Sequence, residues 1–334
     1  MHSLLKFTDN GIYCPEGEFY IDPWRPVKKA LITHAHADHS RPGHQHYLAH
    51  LHSETIMRQR LGVNIQIETI NYDESINING VKVSFHPAGH IPGSAQIRIE
   101  YKGKIAVVSG DYKLEDDGLS TPFESINCHE FVTETTFGLP IYQWKPQSET
   151  FNEINHWWKK NKADGKTSVI FAYALGKAQR IMKNVDTNIG KIYTHGAVES
   201  ATEALRKTGL DLPETTKITN DIPKKEYQGN LVIATPASIG TTWMKKLAPY
   251  STGIASGWMM LRGTRRRKAA DRGFVLSDHA DWNGLLEAVK LSEAETIYST
   301  HGYSNVFTKY LQEQGLNAIS LDTQFEGESL DSEL

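Results

Sequence analysis

The chain has 334 residues, of which 39% are hydrophobic, and a formal net charge of -3. This length suits one large domain or two closely joined ones, and the near-neutral charge excludes a globally basic nucleic-acid-binding protein, so any such contact must rest on a local patch. The two cysteines, Cys14 and Cys128, lie far apart without metal-ligand spacing, which favours a reducing compartment over a disulfide scaffold.

Short apolar runs that end in turns predict strands through the first half of the chain, at residues 19–23, 30–33, 81–85, 96–101 and 105–109. A run that starts at Ser53, as its cap, and stops at Gly62 predicts a helix over residues 53–61. From about residue 150, helical stretches (151–160, 177–185 and 200–208) alternate with buried strands (168–173 and 231–235), which is typical of an α/β fold. We see no membrane-spanning apolar run and no signal peptide, so we expect a cytoplasmic protein.

Four ligand-type side chains, His34, His36, Asp38 and His39, follow the strand predicted at residues 30–33. In an extended segment alternate side chains face the same way, so His34 and His36 can reach one ion while the turn brings Asp38 and His39 to a second. The alternatives are a solvated polar loop or histidines that serve core hydrogen bonds. The spacing favours a dinuclear metal site, with zinc as the metal and manganese, iron or nickel as further fits.

Three more residues of ligand type, His90, Asp111 and His301, each stand at a predicted strand end beside glycine. Alone, each reads as a turn residue, but together they complete two coordination spheres, and a shared aspartate would leave positions open for water. One ion is assigned His34, His36, His90 and Asp111, and the other Asp38, His39, Asp111 and His301. Asp22 is expected to orient a ligating imidazole, with a turn-forming Asp-Pro pair as the alternative.

A basic run lies shortly before Ser277-Asp278-His279. Among residues 262–272, six are basic and one is acidic, and the run predicts a phosphate-binding strip, with a plain solvated surface as the alternative. Lys177 and Ser238 stand at predicted helix starts, where free backbone amides favour anions, although each could equally be a plain connection. The substrate-binding residues so predicted are Arg262, Arg265, Arg266, Arg267, Lys268, Lys177 and Ser238.

The residues 34–39, His90 and Asp111 resemble the metallo-β-lactamase superfamily, which implies a four-layer αββα sandwich with its metals at one edge. The strings at 133–138, 277–281 and 300–303 are similar to the further motifs of the β-CASP nucleases, which include messenger-RNA 3′-end endonucleases, ribonuclease J and DNA crosslink-repair nucleases. The resemblance implies an α/β chain with a metallo-β-lactamase domain at 1–150, a short inserted β-CASP domain at 151–262 and a return segment at 263–334.

The resemblance also implies that Glu134 contacts His279 near the leaving group, with Asp111 as the third catalytic residue. A carboxylate behind an imidazole fixes its tautomer, which suits an acid for an alkoxide leaving group. The alternatives are a surface carboxylate for Glu134 and a helix-capping turn residue for His279.

A narrower likeness concerns residues 172–180, 257–267 and 277–282, which look like the bacterial ligase-associated DNA exonucleases. It implies processing of DNA ends before ligation, beside an ATP-dependent DNA ligase and a helicase. Two features depart from this pattern: a histidine at position 301 is commoner in the RNA-cleaving branch, and the insertion is short.

The sequence therefore predicts a two-metal DNA exonuclease that acts on single-stranded DNA, from the 5′ end by analogy, with His279 as the acid. The alternatives are a β-CASP ribonuclease, a non-catalytic nucleic-acid-binding subunit and a small-molecule hydrolase.

Overall fold

The computed structural model describes residues 3–261 and 270–325. They form two compact units, the first within Met1–Gln143 and His279–Gly327 and the second within Trp144–Asp278. The second unit is therefore inserted in sequence between the two segments of the first. The predicted domain boundaries, at 150/151 and 262/263, stand elsewhere in the sequence, and the domain assignment itself stays a prediction.

Strands and helices occur in both units, so the predicted mixed α/β class is confirmed. The strands are β1 (Lys6–Thr8), β2 (Gly11–Cys14), β3 (Phe19–Ile21), β4 (Lys29–Ile32), β5 (His46–His50), β6 (Ile67–Ile70), β7 (Ser75–Ile78), β8 (Val81–Pro87), β9 (Ala95–Tyr101), β10 (Lys104–Val108), β11 (Glu130–Thr133), β12 (Thr167–Phe171), β13 (Ile192–Thr194), β14 (Thr216–Lys217), β15 (Leu231–Ala234), β16 (Tyr250–Ala255), β17 (Arg272–Phe274), β18 (Thr296–Ser299) and β19 (Ala318–Ser320). The α-helices of the described residues are α1 (Leu51–Leu61), α2 (Gln147–Ala163), α3 (Lys177–Asn184), α4 (Gly196–Lys207), α5 (Trp282–Ser292) and α6 (Ser304–Glu313).

Two sheets build the first unit. One contains β1-β2-β3-β4-β5-β6 in that order, antiparallel as far as β3 and parallel beyond it. The other has the order β19-β18-β11-β10-β9-β8-β7, antiparallel from β7 to β10 and parallel from β10 to β19. Consequently β8, β10, β11 and β18 all run in the same direction, and the loops that follow them emerge at one edge of this sheet.

The seven-stranded sheet buries both of its faces, because alternate residues of a strand point to opposite sides. On β10, Val108 belongs to a core that also includes Leu31 of the six-stranded sheet. Its neighbour Val107 packs instead with Leu285 of α5 and Phe307 of α6. The two sheets therefore share one core, while α5 and α6 cover the other face of the seven-stranded sheet.

The start of α1 corrects the sequence prediction. The helix begins at Leu51, and the imidazole of His50 caps it by accepting the His52 amide at 3.3 Å. Ser53, which was the predicted cap, is buried and donates its hydroxyl to the Gly93 carbonyl at 3.3 Å. The error arose because histidine is an unusual cap.

The second unit is a parallel sheet with the order β14-β13-β15-β12-β16-β17. The helices α2, α3 and α4 belong to it, and a core of its own includes Trp158, Ile170, Ile181 and Leu231. In the part of the chain that the structure describes, no helix has the length and apolar character needed to cross a membrane.

Candidate metal centre

Four predicted ligands meet at the edge where β4, β8 and β10 end. Ligand atoms of His34, His36, His90 and Asp111 all lie within 4.8 Å of one another, and the four side chains are buried. His36 Nδ1 lies 3.2 Å from both His34 Nε2 and His90 Nε2. Asp111 Oδ2 lies 3.5 Å from His34 Nε2 and 3.9 Å from His90 Nε2. Three imidazoles and one carboxylate thus converge in the way a divalent cation requires.

A second group shares Asp111 with the first. Ligand atoms of His39, Asp111 and His301 also lie within 4.8 Å of one another. Asp111 Oδ2 is 3.5 Å from His39 Nε2, and Asp111 Oδ1 is 3.1 Å from His301 Nε2. Asp38 Oδ2 is 3.7 Å from His39 Nε2. Six of the seven residues that the sequence assigned to two ions are therefore brought together as two groups around one carboxylate, and Asp38 lies beside His39 without belonging to either group. Their role as ligands stays a prediction.

Asp22 holds His39 from behind. Its Oδ2 lies 2.7 Å from His39 Nδ1, and the same carboxylate accepts the Thr33 amide at 2.8 Å and the Thr33 hydroxyl at 2.5 Å. With Nδ1 engaged in this way, His39 presents Nε2 to the centre. This Nε2 is buried and has no hydrogen-bond partner among the described residues. A buried polar atom left in this state is costly, and a bound cation would satisfy it.

Three side chains of the centre have pKa values that are shifted far from their usual values. Burial and the charge of His39 hold the pKa of His34 well below its usual value. Burial also opposes the charged form of His39, but Asp111 and Asp38 outweigh it and raise the pKa of His39 well above the usual value. For Asp111 burial would raise the pKa, yet the charges of His39 and His279 hold it well below the usual value. A neutral His34 and an ionised Asp111 are the forms that bind metal.

Glu134 and His279 form a buried pair beside these groups. His279 Nδ1 lies 3.0 and 2.8 Å from the two oxygens of Glu134, and ligand atoms of Asp111, Glu134 and His279 lie within 4.8 Å of one another. Glu134 is fixed by the Tyr112 amide at 2.8 Å and the Thr136 hydroxyl at 2.5 Å. Because Nδ1 faces a carboxylate, it carries the proton, and Nε2 is the nitrogen available for proton exchange.

Sequence reasoning did not identify Thr33, Tyr112 or Thr136 as parts of the site. Thr33 adjoins the string at 34–39 and Thr136 lies within the string at 133–138. A hydroxyl next to a ligand or two residues from a key carboxylate is a signal that could have found them. Tyr112 acts through its backbone amide, for which a sequence carries no residue-type signal.

The predicted substrate-binding residues fall into two sets. Lys177 is buried, and its Nζ lies 3.7 Å from Asp278 Oδ2 within the second unit. Ser238 is also buried, and its hydroxyl donates to the Thr235 carbonyl at 2.6 Å. Both side chains are thus engaged internally, and their phosphate-binding role stays a prediction. The other predicted residues lie outside the described residues: Arg262, Arg265, Arg266, Arg267 and Lys268.

No family model matches the chain. The chain is similar to a "Probable DNA ligase" of Opitutus terrae, with 29% identity over 331 residues that cover 96% of this chain and 32% of the relative. It is also similar to "Endoribonuclease YSH1" of Saccharomyces cerevisiae, with 28% identity over 123 residues (36% of this chain, 16% of the relative). The "Cleavage and polyadenylation specificity factor 73" of Drosophila melanogaster matches with 28% identity over 123 residues, 36% of this chain and 18% of the relative.

One solved structure, that of a protein of unknown function from Enterococcus faecalis V583, matches with a TM-score of 0.62 and 12% sequence identity, and the match covers 89% of this chain and 80% of that one. This likeness concerns the fold alone. The chain spans about a third of the length of the probable DNA ligase and less than a fifth of the length of the two RNA-processing relatives. The chain is therefore related in sequence to part of a probable DNA ligase and, over a shorter stretch, to part of an endoribonuclease.

Proposed function

We propose that this chain is a two-metal nuclease of the β-CASP group, with a metallo-β-lactamase fold, and that it removes nucleotides from DNA ends before ligation. The observation that carries the proposal is the pair of histidine and aspartate groups that share Asp111 beside the His279–Glu134 pair. Such a pair of metal sites with an adjacent acid suits phosphodiester hydrolysis.

The donor set fits two divalent ions, for which we propose zinc, with manganese as the alternative. His34, His36, His90 and Asp111 would hold one ion, and Asp38, His39, Asp111 and His301 would hold the other. When bound, such ions activate water and offset the negative charge that develops on a phosphoryl group. Asp22 keeps His39 turned toward the centre through the 2.7 Å contact with Nδ1.

His279 is the proposed general acid. Glu134 holds its Nδ1, so the proton that the leaving 3′ oxygen needs is delivered from Nε2. Both side chains are only 1% exposed, which keeps bulk water from competing for this hydrogen bond.

The proposed substrate is DNA, because the similarity that covers 96% of the chain is to a probable DNA ligase. We extend this to an ATP-dependent DNA ligase and a helicase as proposed partners. A preference for a single-stranded 5′ end comes from the β-CASP resemblance, and the basic run at 262–272 is the proposed contact with the phosphates.

A ribonuclease is the second proposed function. It is favoured by the similarity to relatives named as an endoribonuclease and by a histidine, rather than an apolar residue, at position 301.

A time course on 5′-labelled and 3′-labelled single-stranded DNA and on matched RNA, with zinc or manganese, tests these proposals. Mononucleotides released promptly from one DNA end, and lost in His279→Ala, are the expected result. Cleavage of RNA alone would favour the ribonuclease over the DNA exonuclease. DNA cleavage that persists in His279→Ala would contradict the role of His279 as the general acid. Binding without cleavage would favour a non-catalytic subunit, and turnover of nitrocefin or a thioester instead would favour a small-molecule hydrolase.

A further inference from the structure

Phe325 lies directly on two predicted metal ligands. Its ring stacks on the imidazole of His39, with 4.5 Å between the ring centroids and 4° between the planes. The same ring meets His301 edge to face, at 5.5 Å and 73°. It makes another edge-to-face contact, with Trp24, at 5.5 Å and 84°. Phe325 thus contacts His39 and His301, the two imidazoles that are assigned to the second ion.

The segment that carries Phe325 is tied to the loop of the predicted ligands. Just after β19, the Leu321 amide donates to the Ser299 carbonyl at 2.9 Å. Further along, one guanidinium bridges the two segments: Arg41 Nη2 donates to the Gln324 carbonyl at 2.7 Å, and Arg41 Nε donates to the Asp38 carbonyl at 3.2 Å. Hydrogen bonds at Leu321 and Gln324 therefore anchor the segment just before Phe325.

The space beside the ring is small. A cavity of about 10 Å³ is lined by Asp22, His39, His301 and Phe325 together with neighbouring residues, and a single water needs at least about this much room. Asp22 fixes the edge of the His39 ring, and Phe325 covers its face. These two contacts restrict rotation of the imidazole.

We propose that Phe325 is a positioning residue for the His39 and His301 half of the metal centre, an inference that rests on the proposed two-metal function. Without the aromatic ring, His39 and His301 gain rotational freedom and water enters. Residues that orient metal ligands from behind typically contribute about tenfold or more to metal affinity. Loss of the ring is therefore expected to weaken binding of the ion assigned to His39 and His301 and to leave binding of the other ion unchanged.

A titration of the full metal-free chain with Mn²⁺, with the free ion followed by electron paramagnetic resonance, measures both binding constants. The wild-type chain is expected to bind two ions. In Phe325→Ala one constant should stay within about twofold and the other should weaken about tenfold, whereas Phe325→Tyr, which keeps the ring, should stay close to the wild type. Phe7→Ala is the matched control, because Phe7 packs on Tyr298 at 4.8 Å in the same unit, away from the ligands, and it should change neither constant.

Fewer than two ions on the wild-type chain would overturn the proposed metal centre and this inference together. Two ions on the wild type with both constants unchanged in Phe325→Ala would overturn the inference alone. So would an equal fall of both constants, because it would mark Phe325 as a residue of general structural importance.

Discussion

His279 depends on one carboxylate for its orientation. Glu134 faces Nδ1 with both oxygens, and it also accepts hydrogen bonds from the Tyr112 amide and the Thr136 hydroxyl. With two donors holding Glu134, the pair has a fixed geometry in which only Nε2 can exchange a proton with a substrate. The chemical role proposed for His279 therefore rests on Glu134 as much as on the histidine itself.

Glu134→Gln should lower the cleavage rate by about a thousandfold or more, because the glutamine amide can face Nδ1 with a donor and stabilise the wrong tautomer. Metal content should stay at the wild-type level, since Glu134 is not among the proposed ligands. Single-turnover cleavage and metal analysis of the purified variant measure the two effects. Glu124→Gln is the control, because Glu124 contacts His86 outside the centre, and it should keep the wild-type rate. A wild-type rate in Glu134→Gln would contradict the proposed role.

Side chains with distinctive chemistry could be predicted, and those that act by contact alone could not. His34, His36 and His39 were identified because imidazoles at this spacing after a strand are typical of a metal site. Phe325 gave no signal, because a single aromatic residue has many ordinary roles. The burial of Lys177 against Asp278 was equally hidden, since a lysine at a helix start is normally exposed.

The turn that carries His301 contains a glycine position with no room for a side chain. Gly302 follows β18 and His301 with a φ of +71°, and a Cβ there would lie 2.4 Å from the Thr135 carbonyl oxygen. Thr135 in turn donates its hydroxyl to the His301 carbonyl at 2.5 Å and accepts the Tyr303 amide through its own carbonyl at 2.9 Å. The strands β11 and β18 are thus held together at the edge where His301 stands.

Gly302→Ala should cost at least about 2 kcal/mol of unfolding free energy more than Gly103→Ala. Both glycines have a positive φ and pay about 1 kcal/mol for a side chain. Around Gly103 a Cβ would meet nothing within 4 Å, so only Gly302 adds the cost of overpacking. Denaturant unfolding of the two variants measures the difference. Equal losses of unfolding free energy in the two variants would mean that the backbone at Thr135 shifts to accept the added Cβ without strain.

The imidazole that caps α1 makes the stability of the fold depend on pH. Burial, with a contribution from the charge of His52, lowers the pKa of His50 to about 4, against 6.5 for an ordinary histidine. Above pH 6.5 both the folded and unfolded forms are neutral, so this group gives no pH dependence there. As the pH falls from 6.5 to 4 the unfolded chain takes up the proton first, and stability drops by as much as about 3 kcal/mol.

His50→Asn should make the loss of stability between pH 6.5 and pH 4 shallower, while asparagine keeps an acceptor for the helix amides. His50→Phe, which keeps a ring against Tyr72 but has no cap, should give the same shallower slope. Unfolding free energies at several pH values test this. A loss of the wild-type size in both variants would assign the acid sensitivity elsewhere, for example to buried His44, whose pKa burial also lowers to about 4.

The positions of many strands and helices along the chain were easier to predict from the sequence than their exact ends. Short apolar runs that end in turns marked the strands at 30–33, 81–85 and 105–109, which precede the proposed ligands, because a strand buried on both faces has a continuous apolar run. The start of α1 was missed, because His50 replaces the usual capping residues and tertiary contacts use Ser53 for another purpose. Strand order could not be predicted, because it depends on pairings between distant segments that leave no local trace.

At the scale of the whole molecule, the two units have separate hydrophobic cores, and the proposed ligands all belong to the first unit. A ligand that binds only the folded form stabilises what it binds, by about 3 kcal/mol for an ion present at a hundred times its dissociation constant. Metal binding is therefore expected to stabilise one unit directly and the other not at all.

Removal of metal by a chelator should lower the hydrogen-exchange protection of residues 3–143 and 279–325 and leave that of residues 144–261 unchanged. The reason is that the proposed ligands lie in loops that follow β4, β8, β10 and β18 of the first unit, whereas the second unit has its own sheet and core. A His34→Ala/His36→Ala variant is the control, and in it the chelator should have a smaller effect, because one of the two proposed sites is lost. An equal loss of protection in both units would show that they unfold as one, and an unchanged first unit would contradict the metal centre itself.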